Sequence, residues 1–357
     1  MLHPFFAVLN TQETALLLTT LTLGGAERTG LFAHLEPDVR NRLEDRARAL
    51  QSLPDDQRVP LMVHELRAMT DMQGQQRLEF VDPSWIVHRL HGEGPRMVAL
   101  LLLGMPAPQM RAVLKRLPKA LRHLLPPKSE LKNLPEPLVA GLRLKFLAQF
   151  DPMPDETSGP RQLRDLVHMD RGDLYRLVRT LGLIELGQAF ASVEKMALAE
   201  LCRRLPRQTA QELISAVQSA STVDMPDAQA AQRFLTRVVM NFEDTEEFLQ
   251  RSGLWRLARG MVDEPDSFLR AMVQHLPRRS GSTLSGYVLR ARELEAADPS
   301  AIARCKDGIL VRAVLLAREH SPGSLWATGP IAFGDPPACE AALLEEAARA
   351  SAAHRPA

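Results

Sequence analysis

Leucine stripes that close on a Leu-Pro pair recur along this chain, and they constrain its fold more than any other feature. Three segments place apolar residues at i, i+3, i+4 and i+7 before a proline: Met110 to Pro118, Leu198 to Pro206 and Leu269 to Pro277. This spacing gathers the apolar side chains on one helix face, and proline then stops the helix. A further leucine follows eight residues after each stripe, at Leu125, Leu213 and Leu284. Each copy therefore predicts two helices that pack on each other.

A fourth and weaker copy lies upstream, where the corresponding residues are Leu31, Phe32, Leu35, Pro37 and Leu43. Helical hairpins that cannot bury a core alone stack on their neighbours. The repeat therefore predicts an all-α fold of armadillo- or HEAT-like stacked helical hairpins in two or three domains. The alternative is that a leucine-rich helical protein contains such patterns by chance.

The composition is that of a folded protein with no overall charge bias. Among 357 residues, 45% are apolar and 44 Lys and Arg face 43 Asp and Glu. A nearly neutral chain has no global field that would draw it to nucleic acid or anionic lipid. Its three scattered cysteines are typical of a reducing compartment. The longest nearly unbroken apolar stretch, from Met97 to Met105, is too short to span a bilayer. We therefore expect a cytosolic protein.

Prolines, glycines and polar turns suggest five parts. We predict an N-terminal helical domain at residues 1–75, a middle armadillo-like domain at 76–150 and a linker at 151–160. A C-terminal armadillo-like domain would follow at 161–235, and an additional helical region with a frayed C-terminus at 236–357. Asp82-Pro83 has the form of an N-cap followed by proline at the first helical position.

The middle segment carries a resemblance to a known family. It begins Asp82-Pro-Ser-Trp-Ile-Val-His-Arg-Leu-His-Gly-Glu-Gly-Pro-Arg96 and continues through an apolar helix to Leu117-Pro118. These residues resemble the middle domain of the flagellar motor switch protein FliG family. Residues 165 to 217 are similar to the armadillo part of that family's C-terminal region, and residues 12 to 50 to its N-terminal domain.

The resemblance implies a set of binding residues. In the family, a Glu-His-Pro-Gln motif docks the ring protein FliM; here the matching positions are Glu93, Gly94, Pro95 and Arg96. Gly94 and Arg96 replace the usual His and Gln. The family also assembles by packing one subunit's repeat on the next, which implies an oligomer interface at Val98, Leu101 and Leu102.

Two other family features are missing. The Met-Phe-x-Phe hinge should fall at residues 160–163, where the chain has Pro-Arg-Gln-Leu. The torque helix should carry charges where our alignment places Gln208, Ser215 and Ala216. Because neutral side chains cannot supply charge complementarity to a stator, we do not expect ordinary torque generation.

Together these features predict a divergent FliG-like structural scaffold in a cytosolic ring of a flagellar-type or type III secretion apparatus. The expected partners are other copies of the chain, a FliM-like ring protein and a membrane-ring protein of a basal body, at the cytoplasmic face of the inner membrane. The alternative is a generic helical-repeat adaptor between proteins. A third possibility is a regulatory domain resembling the cytosolic part of MgtE-type magnesium transporters.

No catalytic, metal or cofactor site is expected. The chain has no GxSxG, P-loop, GxGxxG or HExxH motif, so we do not predict an enzyme. His88 and His91 could form one edge of a metal site, but a solvent-facing pair is the simpler interpretation. A basic stretch from Arg111 to Lys145 could meet phosphates or an acidic partner. It lacks interleaved aromatic residues, and we expect no nucleic-acid partner.

Overall fold

The computed structural model describes residues 6, 9, 11–24, 32, 34–55, 57–63, 78–131, 136–154, 159–191, 193, 195–220, 225–238, 244–295 and 298–353. Within these ranges the chain is all-α, as predicted, and contains no β-strand. A single isolated bridge joins Arg161 to Ile331. No helix in these ranges is long and apolar enough to cross a membrane.

Helices make up most of the described residues. Their bounds are α1 Thr11–Gly24, α2 Pro37–Gln51, α3 Pro83–Leu90, α4 Pro95–Leu103, α5 Ala107–Arg116, α6 Lys119–His123, α7 Lys128–Leu131, α8 Glu136–Leu147, α9 Arg171–Phe190, α10 Lys195–Arg204, α11 Arg207–Ser219, α12 Met225–Val238, α13 Thr245–Gly260, α14 Asp266–His275, α15 Arg278–Glu295, α16 Pro299–His320, α17 Leu325–Thr328 and α18 Pro336–Ala353. A 3-10 helix, Leu163–His168, precedes α9.

The Leu-Pro pairs occupy equivalent turns, which we call the Leu-Pro units: α5 to α6, α10 to α11 and α14 to α15. Leu117, Leu205 and Leu276 lie at the turn between the two helices of their units and are buried. The following proline carbonyl accepts the first backbone hydrogen bond of the second helix, over 3.1, 2.9 and 2.8 Å respectively. The first backbone N–H groups of a helix have no acceptor within that helix. Proline, which lacks this N–H, therefore costs no hydrogen bond at a helix start.

The second helices of the units differ in length. Leu213 in α11 and Leu284 in α15 are fully buried, as the plus-eight position predicts. In the first unit α6 ends at His123, shortly before Pro126-Pro127, so Leu125 lies beyond the helix and is only half-buried. Consecutive prolines disfavour a longer helix there.

Helices α9 and α13 form the centre of the fold and are buried along most of their length. Glycines let their backbones touch: a Cβ on Gly253 would lie 1.7 Å from the Val178 carbonyl oxygen, and one on Gly182 would lie 2.1 Å from that of Leu249. The crossing also buries Glu185, which pairs with Arg256 at 3.1 Å and Arg259 at 3.7 Å.

Two hydrophobic clusters define the larger bodies of the chain. One joins side chains between Phe6 and Met62. The main core joins side chains from Leu78 to Trp326 and so draws on the predicted middle, C-terminal and additional regions together. The five-part division remains a prediction; residues 155–158 of the linker and 354–357 of the C-terminus lie outside the described residues.

Polar contacts hold helix α3 on the third Leu-Pro unit. Asp82 caps α3 by accepting from the Ser84 backbone N–H at 2.8 Å, as the Asp-Pro pair predicts. The Asp82 N–H donates to the Gln274 carbonyl, and the Trp85 indole N–H lies 3.1 Å from the carbonyls of both Val273 and Leu276. These acceptors are carbonyls of the last turn and the C-cap of α14, which a helix leaves without internal partners.

Candidate partner-binding surfaces

The predicted binding motif forms an exposed turn between α3 and α4. Gly92 has φ +95°, a conformation that favours glycine, and lets the chain reverse after α3. Gly94 is the N-cap of α4 and Pro95 is its first residue, so proline again opens a helix. Glu93, Gly94 and Arg96 are exposed and Pro95 is half-buried. The turn therefore presents one acidic and one basic side chain to solvent at the start of a helix.

The predicted oligomer residues lie inside the chain. Val98, Leu101 and Leu102 are buried in the main core, with at most 5% of any of them exposed. The other side of α4 packs through Ala99 and Leu100 into a small cluster with Leu131. These three residues could meet a sister subunit only if α4 were exchanged between chains, and their role in assembly remains a prediction.

The three positions aligned with torque charges differ in their exposure and in their contacts. Gln208 is exposed on α11 and its amide donates to Glu212 at 3.2 Å, and Ser215 is also exposed. Ala216 instead lies against α9, where a Cβ on Gly187 would come within 3.0 Å of the Ala216 side chain. A charged side chain at residue 216 would have to enter this close helix contact.

The basic stretch is mostly solvent-facing. Its exposed members are Arg111, Lys115, Arg116, Lys119, Arg122, Lys128 and Lys145. Arg116 lies 3.6 Å from the buried carboxylate of Asp82, and Arg143 packs over Gly104. The remaining charges are spread over four helices, α5 to α8.

A groove of about 380 Å³ opens beside the third Leu-Pro unit. We call this cavity the groove. Its apolar lining comes from both helices of the unit, from α3 and from the end of the middle segment: Trp85, Phe150, Leu269, Val273, Leu284, Val288 and Leu289. Leu289 is 61% exposed at the edge. A concave apolar surface flanked by charges is typical of a site that receives a side chain or helix of another protein.

Charges surround the groove with an excess of arginine. Arg270 pairs with Asp151 at 3.0 Å, and Arg292 pairs with Asp266 at 3.0 Å. Arg89 is exposed and also lines the groove. The pKa of neighbouring His88 is lowered by burial and then by the positive charges of Arg278, Arg89 and His91. Three arginines and two aspartates therefore line the apolar floor, a net excess of one positive charge.

A buried histidine, His275, connects the middle segment to α14 near the groove. Its ring nitrogens lie 3.0 Å from the Phe80 carbonyl oxygen and 3.1 Å from that of Met169, and its ring stacks on Phe80. This residue, His275, is only 6% exposed. Arg171 adds bonds from its guanidinium to the carbonyls of Phe80 and Val81. The joint is polar, mostly buried and built from three separate parts of the sequence.

Elsewhere the titratable residues make structural bonds. Asp307 accepts from the backbone N–H groups of Gly334 and Asp335 at 2.7 and 2.9 Å. Burial, with the charge of Asp307 nearby, raises the pKa of the Cys339 thiol to about 12, so this thiol stays protonated near neutral pH. Among the described residues, no group of three or more His, Cys, Asp or Glu side chains is placed to hold a metal ion.

Sequence reasoning did not find the groove. Leu269 and Val273 were assigned to a buried stripe, and their spacing of four was the available signal. The opposite wall is Trp85, which lies 188 residues from Val273 in sequence, so no local pattern connects them. The motif turn, in contrast, has a local sequence signal, because proline and glycine fix its backbone.

Comparison with models of known protein families, with curated proteins and with solved structures finds no match to this chain. The family resemblance therefore depends on the residues of the N-terminal, middle and C-terminal segments given above.

Proposed function

We propose that this chain is a divergent FliG-like structural scaffold of a cytosolic ring in a flagellar-type or type III secretion apparatus. The observation that carries the proposal is the recurrence of the Leu-Pro unit. Three units share a buried leucine and a proline carbonyl that starts the next helix. We infer that these units stack in an armadillo-like manner, as repeats with one apolar face do.

The motif turn supports a ring partner. Its exposed Glu93 and Arg96, set at the start of α4, occupy the position at which the resemblance implies docking of a FliM-like ring protein. Such a site needs accessible side chains on a rigid backbone. Pro95 and the buried face of α4 supply that rigidity.

Restoring the family's motif gives a direct test. Gly94 has ordinary helix-entry angles, and a Cβ there would meet nothing within 4 Å, so Gly94→His together with Arg96→Gln should leave the fold intact. We expect this double variant to bind the host's FliM-like protein at least about tenfold more tightly, by roughly one good polar contact. Arg164→Gln, a change of another exposed arginine, is the matched control.

The cellular readout is the position of a tagged chain. A ring scaffold should form discrete foci with basal-body proteins and crosslink to them from residue 96. A diffuse protein that never crosslinks to a basal-body component, and whose restored motif gains no affinity, would contradict the proposal.

A generic helical-repeat adaptor is the second candidate. The burial of Val98, Leu101 and Leu102 within the chain favours it, since the stripe that would be shared between subunits is already satisfied. A stable one-to-one complex with a protein outside any basal body would select this function instead.

A further inference from the structure

The last helix presents a leucine to solvent on a rigid support. Cys339 and Leu343 of α18 are buried against Val311 and Val314 of α16, and Asp307 fixes the backbone just before α18. On the opposite side Leu344 is 72% exposed. The contacts on the buried side of α18 fix the helix on α16, so the position of Leu344 does not depend on a partner.

An exposed acidic residue lies on the same face as this leucine. Glu340 precedes Leu344 by one helical turn and is exposed. The side chain beside it on the same face, Ala341, is small and exposed, which permits close approach of another surface. Leu344 with Glu340 and Ala341 is called the knob below.

Charge distinguishes the knob from the other exposed leucines of the described residues. Leu144 lies between Arg143 and Lys145, and Leu124 follows Arg122 and His123, so positive groups around the groove would repel both. Leu294 has acidic neighbours, but Arg290 lies one turn before it and it belongs to the groove's own helix. The knob alone combines a highly exposed leucine with an acidic residue one turn before it.

We propose that the groove of one copy of this chain receives the acidic knob of a second copy. Leu344 would enter the apolar floor formed by Leu269, Val273 and Val288, and Glu340 would face the arginines around it. Apolar burial supplies the attraction, and opposite charges select the partner and its orientation.

The contact is head-to-tail. The groove is lined by residues between Trp85 and Arg292, whereas α18 begins at Pro336, so two different surfaces meet. A heterologous contact leaves one groove and one knob open at the ends, and it generates rings or open chains rather than closed dimers. One helix in one groove buries less than the roughly 800 Å² per partner of a stable interface, so association depends on concentration.

Sedimentation velocity over about 1 to 200 µM tests the contact with single substitutions. Wild type should associate progressively. Leu344→Glu and Leu289→Glu each place a charge at a mostly exposed position, and each should weaken association by about ten- to a hundredfold, the effect of losing one buried leucine. The matched control is Leu294→Glu, the same change on the same helix as Leu289, and it should associate like wild type.

Mixing the two variants makes the test specific for a head-to-tail contact. The Leu344→Glu chain keeps an intact groove and the Leu289→Glu chain keeps an intact knob. Their mixture should give one-to-one dimers and nothing larger, while each variant alone stays monomeric. A mixture that remains monomeric, a Leu344→Glu variant that associates like wild type, or a wild type that is monomeric at 200 µM would overturn the proposal.

This inference depends on the proposed scaffold only for its biological setting. If the tagged chain gives no basal-body foci but association still depends on Leu344, the ring function fails and the contact stands. If foci form and persist with Leu344→Glu, the ring uses another surface and the contact fails.

Discussion

Single residues decide whether the central helices can touch. Gly253 lies where α13 crosses α9, and a Cβ there would overlap the carbonyl of Val178 at 1.7 Å. Gly253→Ala must push two buried helices apart, and we expect it to lower the free energy of unfolding by about 1–3 kcal/mol or more. Urea unfolding followed by circular dichroism measures the change.

The control for this substitution is Gly286→Ala on α15. A Cβ at Gly286 meets nothing within 4 Å, so only the helix propensity changes and stability should rise by up to about 1 kcal/mol. Equal effects of the two alanines would show that the close crossing is not what makes Gly253 necessary.

His275 gives the joint a pH dependence. The pKa of His275 is lowered from 6.5, chiefly because the ring is buried. The charge of Arg171 also lowers the pKa, whereas the carbonyls of Phe80 and Met169 and the charge of Asp82 raise it. A lowered pKa means that the folded state prefers the neutral ring. The stabilisation is therefore complete above about pH 6.5, where the ring is also neutral in the unfolded chain, and is lost as the pH falls toward the folded-state value.

Urea unfolding at pH 7.5, 6.5 and 5.5 tests this dependence. Stability should fall by up to about 1.4 kcal/mol per pH unit below pH 6.5, the limit for one proton. His275→Gln should remove that slope, and His123→Gln, at an exposed position, should retain it. An unchanged slope in His275→Gln would assign the acid sensitivity to other groups.

At the scale of elements, the equivalent positions of the Leu-Pro units predict that their leucines contribute similarly to the free energy of unfolding. Leu117, Leu205 and Leu276 are each at most 8% exposed. We expect alanine at any of the three to cost about 2–4 kcal/mol of unfolding free energy, because each leaves a cavity between two helices. Leu124→Ala, at an exposed position seven residues after Leu117, should cost under about 0.5 kcal/mol. A unit whose leucine could be removed without loss would not be a copy of the others.

The elements themselves were predictable from local sequence. Asp82-Pro83 and the prolines of the units each fix a helix start within a few residues, and the structure confirms them. Proline restricts its own φ and lacks a donor, so its effect needs no distant partner. The short α6 is the exception in length, and Pro126-Pro127 explains it locally as well.

What could not be predicted is where the helices meet. The apolar pattern of α4 marks Val98, Leu101 and Leu102 for burial but does not say whether this chain or a sister covers them. The approach of Gly182 to Gly253 likewise joins residues 71 positions apart. Contacts of this kind depend on three-dimensional packing, which helical periodicity in one sequence does not encode.

At the scale of the whole molecule, the third Leu-Pro unit connects segments that the sequence suggests are separate. Asp151, at the start of the predicted linker, bonds Arg270 and Gln274, while Asp82 and Trp85 hold the other end of the middle segment on the same helix. The middle segment cannot move away from α14 without breaking these polar contacts. The proline and glycine of the predicted linker by themselves suggest a hinge there.

We therefore expect α3 and α14 to open as one cooperative unit. Trp85→Phe keeps a ring but removes the indole N–H that serves the carbonyls of Val273 and Leu276, which should lower stability by about 1–3 kcal/mol. Amide hydrogen exchange should show the opening free energies of α3 and α14 falling by similar amounts, although some 190 residues separate them. Trp326→Phe, in the same core but away from this contact, controls for loss of the indole volume and should spare α3. If Trp85→Phe loosens α3 while α14 keeps its protection, the two segments open independently and the joint does not couple them.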